Sequence, residues 1–166
     1  VPVCKGFSIR IANPDMDIPA INKIYQAHGM VPIDRKFLKN NYDQKVITYF
    51  VAIDSETGHV IGVVMGADHV LCFDDPENGS SLWALAVDPQ ARVPGVGKAL
   101  VQHLIQFYRA RGRVFMDLSV LHSNEQANQL YDKLGFDRWD SVDFGIDSNT
   151  TSPPFGLNAR RKPNSA

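Results

Sequence analysis

The feature that most constrains the fold is a strand that leads through a glycine-containing turn straight into an amphipathic helix. Residues 81–87 read Ser-Leu-Trp-Ala-Leu-Ala-Val and predict a buried strand. Residues 97–111 place their apolar side chains on one helical face and end at Gly112, which predicts a helix. A mostly apolar run over residues 114–121 predicts the next strand. Because a helix joins the two strands, we expect a right-handed parallel crossover in an α/β fold.

Patterns elsewhere in the sequence predict the strands and helices that complete the sheet. The predicted strands lie at residues 7–11, 46–53, 59–67, 81–87, 114–121 and 141–147, and the predicted helices at 18–28, 33–41, 97–111 and 125–134. We expect Asp15 and Asp17 to cap the first helix, and Ser123 or Asn124 to cap the last. The two strands within residues 46–67 form a hairpin whereas the crossover is parallel, so the sheet must be mixed.

The composition is typical of one globular domain. The chain has 166 residues, of which 44% are hydrophobic and 21% charged, enough to bury a single core. We therefore expect one domain over residues 1–148, followed by an irregular tail over residues 149–166. The formal net charge of -1 argues against a broad basic surface that binds nucleic acid or an anionic membrane.

The cysteines and the apolar runs exclude several other classes of protein. Cys4 and Cys72 are far apart and have no CxxC or Cys/His spacing, which predicts free thiols in a reducing, cytoplasmic compartment and no metal site. The longest apolar run, residues 60–67, is far shorter than the roughly 20 residues that span a bilayer. The N-terminus has no long apolar signal-peptide segment, and its start at Val1 instead of Met indicates processing or excision from a longer chain.

The turn between the central strand and its helix carries the clearest chemical signal. The N–H groups at a helix N-terminus attract anions, and glycines allow a phosphate to approach the backbone closely. A Walker A loop is excluded because Arg92 stands where its first glycine is required and Ala99 follows Lys98. A dinucleotide fingerprint is excluded because Leu100 occupies the position of its third glycine. The turn therefore predicts a phosphate site of another kind.

Two motifs at matching spacing resemble the GNAT N-acetyltransferase superfamily. Residues 92–97, Arg-Val-Pro-Gly-Val-Gly, resemble its motif A, Q/R-x-x-G-x-G/A, and follow a strand that ends in Val-Asp-Pro. Residues 124–136, Asn-Glu-Gln-Ala-Asn-Gln-Leu-Tyr-Asp-Lys-Leu-Gly-Phe, resemble motif B, N-x-x-A-x-x-L-Y-x-x-x-G-F. The resemblance covers about residues 7–147 and is strongest over residues 81–136. It implies a mixed, mainly antiparallel, twisted sheet of six or seven strands flanked by about four helices.

The resemblance implies an enzyme that transfers the acetyl group of acetyl-CoA directly to an amine in a ternary complex. It implies that the backbone of Leu85 and Val87 pairs with the pantetheine arm and that Asn124 contacts the same arm. The residues implied at the pyrophosphate are Arg92, Val93, Gly95, Val96, Gly97 and Lys98. Tyr131 would lie against the thioester sulfur as general acid, a role that suits a phenol because it keeps its proton at pH 7.

Each of these assignments has an alternative that involves no ligand. Tyr131 also belongs to an apolar helical stripe that includes Leu130, so it could be a core residue. Asn124 is a good helix N-cap whether or not it contacts a ligand. Arg92 and Lys98 could be solvated cations. The two motifs together, rather than any single residue, therefore support the donor site.

The general base that must take a proton from the acceptor amine is not evident. The central strand has no carboxylate, and Ser119 stands where many relatives have Glu or Asp. This departure from the ribosomal-protein alanine acetyltransferase pattern counts against that substrate. The foremost candidates are Asp117 and His122, with His69, Asp68 or a water chain to a more distant carboxylate as alternatives. Asp117 could instead be a hydrogen-bonded residue beneath a helix.

The acceptor is expected to be a small, amino-acid-like amine. Residues 80–92 and 116–127 resemble the acetyltransferase region of N-acetylglutaminylglutamine synthetases, which implies acetylation of the α-amine of a glutamine-type amino acid or dipeptide. A non-catalytic acyl-CoA-binding regulatory module stays an alternative because no base is evident. A homodimer is also open because the tail could cross to a second subunit.

Overall fold

The structure, a computed structural model, describes residues 6–118, 129–130, 133–134 and 141–143. Six strands and four helices have their bounds within these ranges, and residues 129–130 and 133 are also helical. The strands are Phe7–Ile11 (β1), Ile47–Asp54 (β2), Val60–Asp68 (β3), Gly79–Val87 (β4), Phe115–Leu118 (β5) and Ser141–Asp143 (β6). The helices are Ile18–Ala27 (α1), Arg35–Gln44 (α2), His69–Phe73 (α3) and Val96–Ala110 (α4). None of the helices in these ranges is long and apolar enough to cross a membrane.

The strands are hydrogen-bonded neighbours in chain order, β1-β2-β3-β4-β5-β6. β1 is antiparallel to β2, with Phe7 opposite Asp54. β4 is parallel to β5, with Ser81 opposite Asp117, and β5 is antiparallel to β6. The mixed α/β sheet and the parallel connection from β4 through α4 to β5 are therefore confirmed.

Contacts within the chain group into two compact units. The first consists of residues 1–66 and 84–104, and the second of residues 67–83 and 105–166. The single domain expected over residues 1–148 stays a prediction, and the expected tail lies outside the described residues. Most of the helix expected over residues 125–134 also lies outside them.

The core of the first unit positions the start of α4. A Cβ on Gly62 in β3 would lie 2.8 Å from Val96 and 2.9 Å from Leu100, so the missing side chain lets the first turns of α4 approach the strand. The helical spacing of apolar residues predicts the buried faces of both main helices in this unit. Their buried members are Ile21, Ile24 and Tyr25 in α1, and Val96, Leu100, Val101 and Leu104 in α4.

Asp17 occupies the N-cap position of α1, but the prediction that its side chain caps the helix is wrong. Its carboxylate accepts hydrogen bonds from the Arg10 guanidinium at 2.7 and 3.0 Å and from the Asn13 N–H at 2.6 Å. A bidentate bond to a guanidinium is stronger than a bond to a neutral helix amide, so it determines where the carboxylate points. The Asp15 carboxylate also binds an arginine, in an exposed ion pair with Arg35.

In the second unit, the short helix α3 is an element that the sequence patterns did not predict. It continues directly from β3, because the Asp68 carboxylate caps it by accepting from the N–H groups of Val70 at 3.0 Å and Leu71 at 3.2 Å. Asp74, at a φ of 55°, ends it in the left-handed conformation. A single turn of helix has too few residues for a periodic pattern, so the sequence patterns predict no element over residues 68–73.

Candidate functional site

The turn between β4 and α4 leaves backbone N–H groups at an open helix end. The strand ends where the Asp88 N–H donates to the Ile61 carbonyl at 2.8 Å. Gly95 has a φ of +82°, and no described heavy atom lies within 4 Å of a Cβ built on it. The first hydrogen bond of α4 runs from the Ala99 N–H to the Gly95 carbonyl at 3.0 Å. The N–H groups of residues 96–98 precede that bond and have no acceptor within the helix, which makes this end an anion site.

The side chains of the turn agree with that chemistry. Val96 is buried and anchors the helix start, whereas Arg92 and Lys98 are exposed. Neither cation forms an ion pair with another residue in the described part of the chain. The structure thus brings every residue predicted for the pyrophosphate into one turn, where amides and two available cations can hold a diphosphate.

The outer side of the turn borders a groove of about 590 Å³ that also reaches the β2–β3 connection. Arg92 and His59 line it, but so do the carboxylates of Asp54, Glu56 and Asp88. Three carboxylates against one arginine and one histidine repel a phosphate. The groove is therefore a poorer phosphate site than the start of α4.

The backbone of β4 is oriented as the pantetheine assignment requires. Since the Asp88 N–H points toward Ile61 in β3, the alternation of a strand directs the backbone groups of Val87 and Leu85 to the opposite edge. The Val87 carbonyl accepts a hydrogen bond from the His28 Nε2–H at 2.7 Å. Sequence reasoning missed this histidine, which follows α1 and has no motif around it.

Asp117, a predicted base, belongs to a network formed by three buried side chains and one that is partly exposed, here called the buried network: Asp117, Ser81 and His69, which are buried, and Asp75. The Ser81 hydroxyl donates to Asp117 Oδ1 and also contacts His69 Nε2. On the other side of the ring, His69 Nδ1 lies 3.4 Å from Asp75 Oδ2. Two predicted bases, Asp117 and His69, therefore meet through a serine that sequence reasoning missed. The parallel register of β4 with β5 creates this meeting, and no local pattern signals it.

Asp68, another candidate base, is a structural residue. Its fully buried carboxylate accepts from Arg111 Nη1 and Arg113 Nε, each at 2.9 Å, and from the two amides of α3. Burial raises the pKa of Asp68, but its hydrogen bonds with Arg113, Arg111 and the Leu71 amide together hold it below its ordinary value. A carboxylate so stabilised in its ionised form is a weak base.

Three predicted residues, Asn124, Tyr131 and His122, lie outside the described residues, as does Cys4. Cys72 is a free thiol, and burial together with the charge of Asp68 raises its pKa, which disfavours a nucleophilic thiolate. Within the described ranges, no group of three or more His, Cys, Asp or Glu side chains could hold a metal ion.

Comparison with known sequences identifies relatives of this turn and its surroundings. The family described as Acetyltransferase (GNAT) family matches residues 18–136. A ribosomal protein bS18-alanine N-acetyltransferase of Salmonella typhimurium is 31% identical over 121 residues, which cover 72% of this chain and 74% of that protein. A mycothiol acetyltransferase of Thermobifida fusca is 32% identical over 95 residues, which cover 56% of this chain and 29% of that protein.

Comparison of folds agrees with the sequence relatives. The crystal structure of the ribosomal-protein-S18-alanine N-acetyltransferase from Escherichia coli matches with a TM-score of 0.61 and 28% identity, over 78% of this chain and 77% of that one. Amides at an open helix start suit the phosphates of the donor that this family uses. The chain therefore belongs to the GNAT family and is an N-acetyltransferase that uses acetyl-CoA.

Proposed function

We propose that the chain moves the acetyl group of acetyl-CoA directly to the α-amino group of an amino acid or dipeptide in a ternary complex. The observation that best supports an acetyl-CoA site is the open start of α4, where the N–H groups of residues 96–98 follow a glycine at positive φ. The relatives support an α-amine as acceptor, since two of them are named as alanine N-acetyltransferases. The cytoplasmic location expected from the sequence stays a prediction.

The proposed donor site joins the turn, the edge of β4 and a residue assigned by motif. The amides and cations of residues 92–98 would hold the two phosphates, and the backbone of Leu85 and Val87 would hold the pantetheine arm as a sheet edge holds an added strand. Asn124 would contact the same arm, as the motif resemblance implies. Because the Val87 carbonyl already accepts a bond from His28, the arm would use the second lone pair of that oxygen or displace the ring.

The transfer requires the acceptor nitrogen to lose two protons. The nitrogen forms a bond to the acetyl carbonyl carbon as the C–S bond breaks, and Tyr131 donates a proton to the departing sulfur and recovers one from the nitrogen. Asp117 takes the other proton from the acceptor ammonium, through a bridging water because the carboxylate is buried. His122 is the alternative base. The products are one acetamide, one thiol and one proton released to solvent.

A free amino acid or dipeptide suits this chain better than a protein N-terminus. Ser119 stands where the ribosomal-protein acetyltransferase pattern has a carboxylate, so one group expected for that substrate is missing. The resemblance of residues 80–92 and 116–127 to the acetyltransferase region of N-acetylglutaminylglutamine synthetases supports a glutamine-type acceptor. Both classes of acceptor present an α-amine, and an experiment can separate them.

The decisive experiment is an acceptor screen that measures the free thiol released from acetyl-CoA. The acceptors are single amino acids, dipeptides that include Gln-Gln, polyamines, and peptides that begin with alanine. We expect release with amino acids or dipeptides and none with their α-N-blocked forms. Release with the alanine peptides alone would show a protein acceptor, and silence with all acceptors would support a non-catalytic acyl-CoA-binding module.

A substitution tests the general acid. Tyr131→Phe is expected to lower kcat about 100-fold, because the sulfur then leaves without a proton donor. Tyr25→Phe is the matched control, since its hydroxyl is buried in α1 and has no hydrogen-bond partner among the described residues. An unchanged kcat in Tyr131→Phe would contradict the acid role while leaving the donor site in place.

A further inference from the structure

The buried network is a continuous path of polar side-chain contacts from the interior to the surface of its unit. Asp117 and Ser81 come from paired positions of β5 and β4, His69 from the first turn of α3, and Asp75 from the loop after α3. The contacts run from Asp117 Oδ1 to Ser81 Oγ, from Ser81 Oγ to His69 Nε2, and from His69 Nδ1 to Asp75 Oδ2. Each member contacts the next, so no gap interrupts the path.

The chemistry of the network suits the movement of a proton. A hydroxyl and an imidazole can each accept a proton on one side while giving one on the other, and carboxylates can hold a proton at both ends. The groups that face the His69 ring are Ser81 and Asp117 from the strands, Asp75 from the loop, and the apolar rings of Phe73 and Phe115 at 5.8 and 5.9 Å. The two rings border His69 with apolar surface, so the polar contacts of its ring among the described residues are those to Ser81, Asp75 and Asp117.

The two ends of the path differ in their exposure. The Asp117 side chain is 3% exposed and the Asp75 side chain 18%, so a proton at Asp75 can reach solvent directly. At the interior end, Trp83 lies on the same face of β4 as Ser81 and is 47% exposed. Two residues of strand span about 6.6 Å, a distance that one or two waters bridge. The interior end is thus close to a face of β4 that opens to solvent.

We propose that the buried network is the exit route for the proton that the acceptor ammonium loses. Asp117 receives the proton and then donates it to Ser81 Oγ, the Ser81 hydroxyl turns and gives its own proton to His69 Nε2, and His69 Nδ1 gives a proton to Asp75. Asp75 releases that proton to solvent, after which Asp117 is again a carboxylate. One proton enters and one leaves in each turnover, so no further reactant is needed. This inference rests on the proposed role of Asp117 as base, and it assigns His69, Ser81 and Asp75 as residues that act through it.

The experiment compares the pH dependence of kcat in variants of the full chain, with an acceptor found by the thiol-release screen. Ser81→Ala and His69→Gln are expected to lower kcat about tenfold near pH 7, and to recover it to within about twofold of the wild type above the pKa of the acceptor amine. The recovery follows because an amine that is already neutral has no proton to give. The KM for acetyl-CoA is expected to stay unchanged.

Ser80→Ala is the matched control, because the Ser80 hydroxyl is also buried on β4 and donates to the Phe115 carbonyl at 2.8 Å. A purely structural loss lowers the whole pH profile by one factor, so this variant should keep the shape of the wild-type profile. If Ser81→Ala and His69→Gln also keep that shape, the exit route is wrong. Thermal melting with and without acetyl-CoA verifies that each variant is folded and binds the donor.

Two further variants separate this inference from the proposed function. Asp117→Asn should lower kcat about 100-fold near pH 7 and recover at high pH; if it retains wild-type activity, the base assignment itself falls. If only Asp117→Asn changes the profile, Asp117 is the base and the exit route is overturned. Asp75→Asn should lower kcat about threefold, because solvent can replace a partly exposed end of the path. Asp74→Asn, at an exposed neighbour, should leave kcat unchanged.

Discussion

The turn at residues 88–98 and the buried network depend on different parts of the polypeptide. The turn presents backbone N–H groups to a phosphate, and its sequence is restricted mainly where a glycine adopts positive φ. The network is assembled from side chains that come from α3, a loop and two strands. A backbone site leaves a motif in consecutive residues, whereas a side-chain site arises from strand pairing. The first can therefore be found in a single sequence and the second only in a structure.

Each region also depends on a glycine within a strand, and the two glycines accommodate different neighbours. Gly62 makes room for Val96 and Leu100 in the first turns of α4. A Cβ on Gly79 would overlap the Phe115 ring and lie 2.7 Å from His69 Nδ1. Gly62 thus supports the donor turn and Gly79 supports the buried network, so changes at the two positions should separate donor binding from turnover.

The largest expected effect is a loss of stability when the charge of the buried Asp68 carboxylate is removed. Asp68→Asn keeps the shape of the side chain but removes the charge that accepts from Arg111 and Arg113 at 2.9 Å each. Removing one member of a buried ionic cluster leaves the others with an uncompensated desolvation cost, so the free energy of unfolding should fall by about 3 kcal/mol in urea titrations. Asp15→Asn, at an exposed ion pair with Arg35, should leave the melting temperature unchanged.

The same variant has a pH signature. The pKa of Asp68 is lower in the folded protein than in the unfolded chain, so its charge stabilises the fold above the unfolded pKa of about 3.9 and loses this effect as pH falls through the folded value. The stability difference between wild type and Asp68→Asn should therefore shrink below about pH 4. A difference that stays constant down to pH 2 would show that hydrogen bonding, rather than charge, stabilises this cluster.

The next largest effects are those of alanine substitutions at Gly79 and Gly62, which should change different properties of the protein. Gly79→Ala should cost about 1–3 kcal/mol of stability by overpacking, and should lower kcat because it displaces the His69 ring while leaving acetyl-CoA binding intact. Gly62→Ala should cost a similar amount but raise the Kd for acetyl-CoA, because it pushes α4 away from β3. Calorimetric titration with acetyl-CoA and steady-state kinetics measure the two effects. Equal changes of Kd and kcat in both variants would mean that the regions are not independent.

The sequence predicted most of the strands and the open start of α4 because both are encoded in neighbouring residues. The β-rich runs at residues 46–53 and 59–67 and the apolar face of α4 became β2, β3 and α4 with small shifts of their ends. Asp17 shows the limit of such reasoning. Its position favours a cap, but Arg10, seven residues away and on β1, provides a stronger partner that no helix pattern contains.

The buried network, which we propose serves the acceptor, could not be predicted, because its members are also brought together by contacts between distant parts of the sequence. Ser81 and Asp117 are 36 residues apart and adjacent only through the register of β4 with β5. His69 joins them because an unpredicted turn of helix follows β3 and places its ring over Gly79. Long-range pairing of this kind leaves no period and no spacing in the sequence. The sequence therefore suggested Asp117 as a base from its residue type alone, and it did not show which side chains contact it.

A smaller effect is expected from the turn itself. Gly95 has a φ of +82°, and no described atom lies within 4 Å of a Cβ there, so Gly95→Ala introduces backbone strain without a collision. The left-handed conformation costs an alanine about 1 kcal/mol, which corresponds to a rise of about fivefold in the Kd for acetyl-CoA if the strain is released by moving the turn. Gly58→Ala is the control, since Gly58 has a φ of +74° in the β2–β3 turn and equally open surroundings. It should lower stability by a similar amount and leave the Kd unchanged.

The smallest effect tests whether the donor site is truly a backbone site. Arg92→Ala and Lys98→Ala each remove an exposed cation from the turn but none of its amides. Exposed charges attract a phosphate weakly in water, so each variant should raise the Kd for acetyl-CoA by about two- to fivefold at low salt. In 1 M salt, where the Debye length is about 3 Å, the variants should bind as the wild type does. A loss above about a hundredfold that persists in high salt would mean that direct side-chain contacts hold the phosphates, and that the turn resembles the buried network more than its glycines suggest.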